Sequence, residues 1–207
     1  YENHDSLIPW IDGRLVHLHC GIDVTETKQM FEKAAYDELT GVLSRRAGKE
    51  RLQQRLDQGR SFVVCMLDAN DLKVVNDSKG HQAGDALLVS ITEAIEEQLS
   101  PQDEIFRMGG DEFVVLFDSP DREEALEKIH RALQDLRTPE EQRDRFSFGL
   151  TQVSCEVGHT ISGVLYSADT DMYLRKRRRH ILQAEQKLKQ GTGEAKDPAS
   201  FQYNKAL

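Results

Sequence analysis

The sequence of 207 residues contains little cysteine, and its cysteines are not spaced for a metal site. Only Cys20, Cys65 and Cys155 occur, and Cys65 lies inside an apolar segment. An odd number of scattered cysteines fits neither a disulfide framework nor a zinc site. We therefore expect reduced thiols that act as packing residues in a cytoplasmic protein.

Long hydrophobic runs and excess positive charge are also missing. No apolar stretch approaches the roughly 18 residues that span a bilayer, and no signal peptide is apparent, so no membrane contact is expected. The net charge of -9 argues against nonspecific binding of nucleic acid as the main activity. Because the chain begins at Tyr1 rather than Met, we expect it to be a fragment.

Hydrophobic periodicity from residue 61 onward predicts the element order β-α-β-β-α-β. Strands are expected at 61–68, 104–108, 113–117 and 146–153, and the two main helices at about 85–99 and 122–136. This is the order of the α+β ferredoxin-like fold, with an antiparallel sheet and helices on one face. Extra helices are expected at about 45–58, with Ser44 as the N-cap, within the stretch 68–77, and from about 161 onward.

Two adjacent acids, Asp111 and Glu112, follow a Gly-Gly pair between two apolar strands. Such a pair predicts a tight hairpin turn, and acids on a buried hairpin are costly unless a cation or a reaction needs them. A solvated acidic turn is the alternative. In the ferredoxin-like order, Asp68 at the end of the first strand lies beside this hairpin. The three carboxylates would then form an oxygen-only cavity that prefers Mg²⁺.

Other residues near Asp68 add groups that suit a nucleotide. Lys73 supplies a positive charge, and the backbone N–H groups at the start of its helix favour an anion. These are parts of a nucleotidyl- or phosphoryl-transfer site. Asn76 and Asp85 would suit a purine edge, although the residues alone slightly favour helix capping and turn formation.

Several of these segments together resemble the GGDEF family of diguanylate cyclases. The resemblance covers roughly residues 37–182. It depends on Leu39-Thr40-Gly41, Asn76-Asp77, Gly80-His81-x-x-Gly84-Asp85 and Gly109-Gly110-Asp111-Glu112-Phe113. It implies a fold like the nucleotide-cyclase and polymerase palm, and the condensation of two GTP into cyclic di-GMP with release of two pyrophosphates. It also implies a homodimer in which each protomer holds one GTP.

The resemblance also implies roles for individual residues. Mg²⁺, or Mn²⁺, would be held by Asp68, Asp111 and the carbonyl of Ala69. Glu112 would complete the metal site or accept the proton of the attacking 3′-hydroxyl. The substrate-binding set would comprise Asn76 and Asp85 on guanine, Lys73 and Lys176 on the β- and γ-phosphates, and Leu72, Arg107 and His180 beside them. Lys73, Asp111 and Glu112 would be the catalytic group.

The sequence departs from the family pattern at three places. Ser44 and Asn70 replace the usual Asn and Asp, with little expected effect. The C-terminal phosphate-binding position is His180 rather than arginine, unless Arg179 takes that role. The product-inhibition motif Arg-x-x-Asp is degenerate here, because Ser100 precedes Asp103. Without the arginine fork we expect weak or no inhibition by the product.

The N-terminal residues resemble a different kind of domain. Residues 1–28 resemble the last strands of a PAS sensor domain, and an unrelated hairpin and helix is the alternative. We expect a signalling linker helix at 29–37, the GGDEF catalytic domain at 38–185 and a flexible tail at 186–207. The competing functions are a catalytically silent GGDEF module that binds GTP or a partner protein, and a nucleic-acid binder using the basic residues 175–180. The acidic total and the lack of interleaved aromatics disfavour the latter.

Overall fold

The computed structural model describes residues 2–23, 34–137, 144–155 and 158–189. The chain divides into two compact units, residues 1–36 and 37–207. Much of the predicted linker helix, and the tail from residue 190 onward, lie outside the described residues. None of the described helices combines the length and apolarity that crossing a bilayer requires.

The first unit is a two-stranded antiparallel hairpin. Strand β1 (Glu2–Pro9) pairs with β2 (Leu15–Ile22). A turn that contains Asp12 and Gly13 joins them, and Gly13 has a φ of 82°, which glycine adopts without a Cβ clash. The assignment of this unit to a PAS domain stays a prediction.

The second unit contains a four-stranded antiparallel sheet in the order β4-β5-β3-β6. Its strands are β3 (Phe62–Ala69), β4 (Glu104–Gly109), β5 (Glu112–Phe117) and β6 (Phe146–Val153). The near-continuous apolar run of β3 fits its position between β5 and β6, where both faces are buried. The sheet therefore has the predicted α+β, ferredoxin-like strand order.

Within the described residues, five helices accompany this sheet. They are α1 (Arg45–Asp57), α2 (Leu72–Lys79), α3 (His81–Glu96), α4 (Arg122–Asp135) and α5 (Ile161–Lys189). Helix α1 begins at the predicted cap, where the Ser44 hydroxyl accepts a hydrogen bond from the N–H of Ala47. The apolar stripes of α3 and α4 pack on one face of the sheet.

The opposite face of the sheet is also covered. Residues of α1 and α5 form a second core cluster there with the outward side chains of β3, including Leu52, Met66 and Met172. The two core helices α3 and α4 thus lie on one face as expected, and the extra helices α1 and α5 cover the other face. Strand β3 alternates its side chains between two cores, which is why every residue of its apolar run is buried.

Helix α5 crosses the sheet very closely at Gly149 in β6. A Cβ at this position would collide with the backbone of Ala168 and Met172. Glycine is therefore required for the close approach of helix and strand. This contact positions the part of α5 that carries Lys176.

Candidate active site

The pairing of β3 with β5 brings the predicted acids together. Asp68 is the register partner of Glu112, and the N–H of Ala69 donates to the carbonyl of Asp111 over 2.9 Å. Residues far apart in the sequence are thus neighbours at one end of the sheet. The convergence inferred from strand order is present in the structure.

The electrostatics of Asp111 reflect this crowding. Burial raises the pKa of its carboxyl above the ordinary value, and the negative charges of Asp68 and Glu112 raise it further. Lys176 lowers that pKa, but does not offset the other effects. Negative charge is therefore concentrated at this point at an energetic cost, which is a common property of functional sites.

Lys176 lies directly on this acidic group. Its ammonium nitrogen is 2.6 Å from Oδ1 of Asp68, and both side chains are about one quarter exposed. Within the described ranges, no three His, Cys, Asp or Glu side chains are arranged as they stand to hold a metal ion. The chemistry of the acids nevertheless fits Mg²⁺, since carboxylate oxygens are its preferred protein ligands. A cation there would relieve the repulsion at Asp111.

The start of α2 forms the neighbouring wall of the site. Asp71 at its N-cap has a φ of 60° and makes no side-chain cap hydrogen bond. That left-handed conformation is uncommon outside glycine. Leu72 is partly buried against the core, whereas Lys73 is exposed. The Asp71 side chain therefore leaves the first-turn N–H groups of α2 uncapped, and the Lys73 side chain is exposed beside them.

Asn76 lies farther along α2, where α3 packs against it. Its Oδ1 is buried and has no hydrogen-bond partner within the described part of the chain. A Cβ at Gly84 would collide with this oxygen, so the close approach requires glycine. Asp85 follows immediately and is exposed. The cap of α3 is Gly80, so the capping interpretation of Asn76 and Asp85 finds no support.

Arg107 is placed beside the turn rather than among the acids. Its guanidinium donates to the carbonyl of Gly110 at 2.7 and 3.1 Å, and to Oδ1 of Asp37 at 3.0 Å. Asp37 in turn accepts hydrogen bonds from Thr40. Arg107 therefore anchors the hairpin turn to the segment that begins the second unit. Sequence reasoning missed the role of Asp37, because nothing local to it indicates a partner in β4.

The β6 side of the site is tied together by a second polar network. The amide of Asn70 donates to the carbonyl of Asp144 and accepts from the hydroxyl of Ser147, both at 2.8 Å. Arg179 donates to the carboxylate of Asp144 at 3.0 Å. Asn70 thus organises the loop after β3, and Arg179 is directed toward the edge strand. The side chain of His180 lies outside the described residues.

Comparison with known proteins identifies this arrangement. Residues 34–180 match the sequence model of the family described as diguanylate cyclase, GGDEF domain. The chain belongs to the GGDEF family.

Two curated relatives place this GGDEF chain among larger proteins. The probable diguanylate cyclase DgcC of Escherichia coli K12 is 31% identical over 150 residues, covering 68% of this chain and 40% of DgcC. The cyclic di-GMP phosphodiesterase PdeB of Shewanella oneidensis is 42% identical over 95 residues, 44% of this chain and 11% of PdeB. The chain therefore spans well under half the length of these relatives.

A solved structure shows the same fold. The diguanylate cyclase SiaD of Pseudomonas aeruginosa, in complex with its activator SiaC, superposes with a TM-score of 0.63 at 31% identity. The match covers 75% of this chain and 64% of SiaD. The two-sided arrangement of the central sheet is therefore that of a GGDEF domain.

Ser100 and Asp103, the positions predicted to form a degenerate inhibitory motif, are engaged in internal contacts. Asp103 accepts from the N–H groups of Ser100 and Asp118 and from the ammonium of Lys128, all at 2.8–2.9 Å. The Asp103 side chain is only 2% exposed. Lys128 also donates to the hydroxyl of Ser100. Asp103 has no accessible oxygen to offer a ligand, and the partnership with Lys128 was not foreseen from the sequence.

Proposed function

We propose that this chain is the catalytic module of a diguanylate cyclase, which condenses two GTP into cyclic di-GMP and releases two pyrophosphates. The observation that carries the proposal is the convergence of Asp68, Asp111 and Glu112 at one end of the central sheet. Membership in the GGDEF family supports it independently. The same acids would hold Mg²⁺ or Mn²⁺, together with the carbonyl oxygen of Ala69.

Recognition of guanine is assigned to the α2–α3 pair. The buried, unpartnered Oδ1 of Asn76 is an acceptor that suits an N–H donor of guanine. Asp85 would accept a further hydrogen bond from the same base edge. Adenine presents an acceptor at N1 where guanine has an N–H donor, and a buried acceptor left without its donor discriminates strongly against adenine. These two residues would therefore select GTP over ATP.

Binding of the triphosphate is assigned to the two lysines and the start of α2. Lys73 is exposed and the Asp71 side chain does not cap the first-turn N–H groups, and a helix N-terminus attracts phosphate oxygens. Lys176 pairs with Asp68 in the described structure. On binding of substrate, we expect Lys176 to exchange this carboxylate for a phosphate oxygen, while Leu72 packs beside it.

The chemical step requires the 3′-hydroxyl of one nucleotide to attack the α-phosphorus of the other. Glu112 would accept the hydroxyl proton or complete the metal site. A bound divalent cation would supply charge neutralisation at the phosphates. Arg107 would keep the turn that carries Asp111 in place through Gly110. Because each protomer offers one guanine site, two protomers must face one another, so we propose a homodimer.

The N-terminal hairpin would be the end of a PAS sensor domain that controls how the two catalytic modules face one another. A silent GGDEF module is the second candidate function. The ion pair between Lys176 and Asp68 favours it, because this pair occupies a carboxylate that a cyclase needs for metal. The two candidates differ in one product, cyclic di-GMP.

The experiment that separates them is a cyclase assay. Purified protein is incubated with GTP and Mg²⁺ over a series of protein concentrations, and cyclic di-GMP and pyrophosphate are quantified. We expect both products from GTP and none from ATP. We expect Asp111→Asn to lower the rate by more than about 100-fold, since it removes charge that the transition state needs.

The matched control is Asp57→Asn, which makes the same chemical change at an exposed aspartate near the end of α1. Its activity should equal that of the unchanged protein. Wild-type turnover by Asp111→Asn would overturn the assignment of the acids. Tight GTP binding without either product at any protein concentration would favour the silent module.

A further inference from the structure

The N-terminal hairpin carries three metal-ligating side chains on one of its faces. Asp5 in β1 is the register partner of His19 in β2, and His17 lies two residues before His19 on the same strand. Because side chains alternate along a strand, residues two apart share a face, and register partners share it as well. Asp5, His17 and His19 therefore project from the same face of the hairpin.

The ring nitrogens of both histidines converge on one carboxylate oxygen. Nδ1 of His19 lies 2.5 Å from Oδ1 of Asp5, and Nε2 of His17 lies 3.5 Å from the same atom. All three side chains are more than half exposed, so a cation can reach them from solvent and the rings can reorient. The adjoining residues on this face, Leu7 and Gly21, carry no positive charge that would repel a cation.

The separations between these donor atoms are close to those around a zinc ion. Two bonds of about 2.0–2.1 Å at a tetrahedral angle place their donor atoms about 3.3 Å apart. The 3.5 Å between His17 and Asp5 is near this value. The 2.5 Å between His19 and Asp5 is that of a hydrogen bond, so as they stand the three side chains do not enclose a metal. A rotation of the exposed His19 side chain that opens this pair by about 0.8 Å would admit the ion.

We propose that Asp5, His17 and His19 form a binding site for Zn²⁺ or a similar late first-row divalent cation. Imidazole nitrogen suits zinc, copper and nickel, whereas Mg²⁺ prefers oxygen ligands. Two imidazoles and one carboxylate are an established zinc donor set, in which water takes the fourth position. The site differs in its chemistry from the oxygen-only group at Asp68 and Asp111, and it does not depend on the proposed function.

A cation at this site links the two strands of the hairpin, because Asp5 belongs to β1 and both histidines belong to β2. A two-stranded hairpin is at best marginally stable in water, and a ligand that binds only the paired form stabilises that form. Zinc should therefore slow hydrogen exchange of the backbone amides that join β1 to β2. This readout needs no substitution in the chain.

The test is calorimetric titration of the whole chain with Zn²⁺, in excess Mg²⁺ to occupy the acidic site and with a phosphine reductant to keep the thiols reduced. We expect saturable binding that His19→Gln weakens at least about tenfold, because it removes one of three protein ligands. Asp5→Asn should weaken it as well. The matched control is His4→Gln, which changes an exposed histidine next to Asp5 on the opposite face of the hairpin. It should change the affinity less than about twofold.

A titration with Co²⁺ identifies the ligand atoms. Nitrogen and oxygen ligands in a four-coordinate site give visible absorption bands, whereas a thiolate adds a strong band in the near ultraviolet. Cys20 is the register partner of His4, so a thiolate band would place the metal on the other face and overturn the proposal. Equal zinc affinities for His4→Gln and His19→Gln, no saturable binding, or unchanged hydrogen exchange in β1 and β2 would overturn it as well.

Discussion

Two aspartates near opposite ends of strand β4 show how one residue type is used in two ways. Asp103 precedes β4 and Asp111 follows it, and burial tends to raise the pKa of each carboxyl. At Asp103 the hydrogen bonds from Lys128 and two backbone N–H groups outweigh burial and lower the pKa. At Asp111 the neighbouring carboxylates add to burial, and the pKa rises.

The difference separates a structural carboxylate from a candidate functional one. The charge on Asp103 is fully compensated within the fold, so ionisation of this residue stabilises the protein. The charge on Asp111 is opposed by its surroundings, so the fold tolerates it at a cost. A carboxylate maintained at such a cost fits a role that depends on an external cation or substrate.

The largest expected effect on stability is that of Asp103→Asn. It leaves the ammonium of Lys128, which is 11% exposed, without its main partner. Breaking one half of such a buried ion pair costs about 3 kcal/mol. Urea denaturation should show this loss as a lower midpoint with an unchanged slope.

A matched variant sharpens that result. Asp57→Asn removes an exposed carboxylate that accepts a hydrogen bond from Gln53, and should change stability by less than about 0.5 kcal/mol. Equal effects of the two substitutions would mean that the contact between Asp103 and Lys128 contributes nothing.

Asp103 and Asp111 should change the stability of the protein in opposite directions as the pH falls. Folding lowers the pKa of Asp103. The contribution of its ionised carboxylate to the free energy of unfolding is therefore complete above the unfolded pKa of about 3.9, and it is lost as the pH falls through the pKa of the folded state. The pKa of Asp111 is raised, so its protonation stabilises the fold as the pH falls. Thermal melts of the Asp103→Asn protein between pH 3 and 7 should show a shallower acid decline than the unchanged protein. An identical decline would contradict this assignment.

A smaller effect of opposite sign is expected from Asp111→Asn. Removing a charge that Asp68 and Glu112 repel should leave the fold intact and raise its stability by roughly 0.5 kcal/mol. The measurement is the urea midpoint in metal-free buffer. A clear loss of stability would mean that Asp111 is compensated by contacts inside the protein, as Asp103 is.

The smallest expected effect concerns inhibition by cyclic di-GMP. The oxygens of Asp103 are engaged by Lys128 and by backbone N–H groups, and Ser100 cannot replace an arginine fork. Steady-state cyclase assays with added cyclic di-GMP should therefore show little inhibition through this site. Low-micromolar inhibition that disappears in Asp103→Asn would contradict the prediction.

Local patterns were sufficient for most of the fold. The strand predicted at 146–153 has those bounds in the structure, and Ser44 caps α1 as predicted. Apolar periodicity specifies which residues are buried, and the order of elements limits how strands pair. The proximity of Asp68 and Glu112 could be predicted from that order. When two adjacent strands pair antiparallel, the end of one strand lies beside the start of the other.

Contacts that depend on helix docking were not predictable. Lys128 belongs to an amphipathic helix whose polar residues have no individual signature, yet it is buried against Asp103. Arg55 is another case. It pairs with Glu104 at the start of β4 and with Asp118 just after the end of β5. Such pairs depend on the rotation and axial position of a helix, which the apolar stripe leaves loosely specified.

The contact at Gly149 has a consequence for how the second unit tolerates mutation. With no side chain between them, strand and helix meet backbone to backbone, so α5 has little freedom to lift or slide. A single methyl group at residue 149 would raise the helix and carry the ammonium of Lys176 away from Asp68. A position within the sheet, distant from nucleotide, thereby governs the spacing of charges where phosphate is expected to bind.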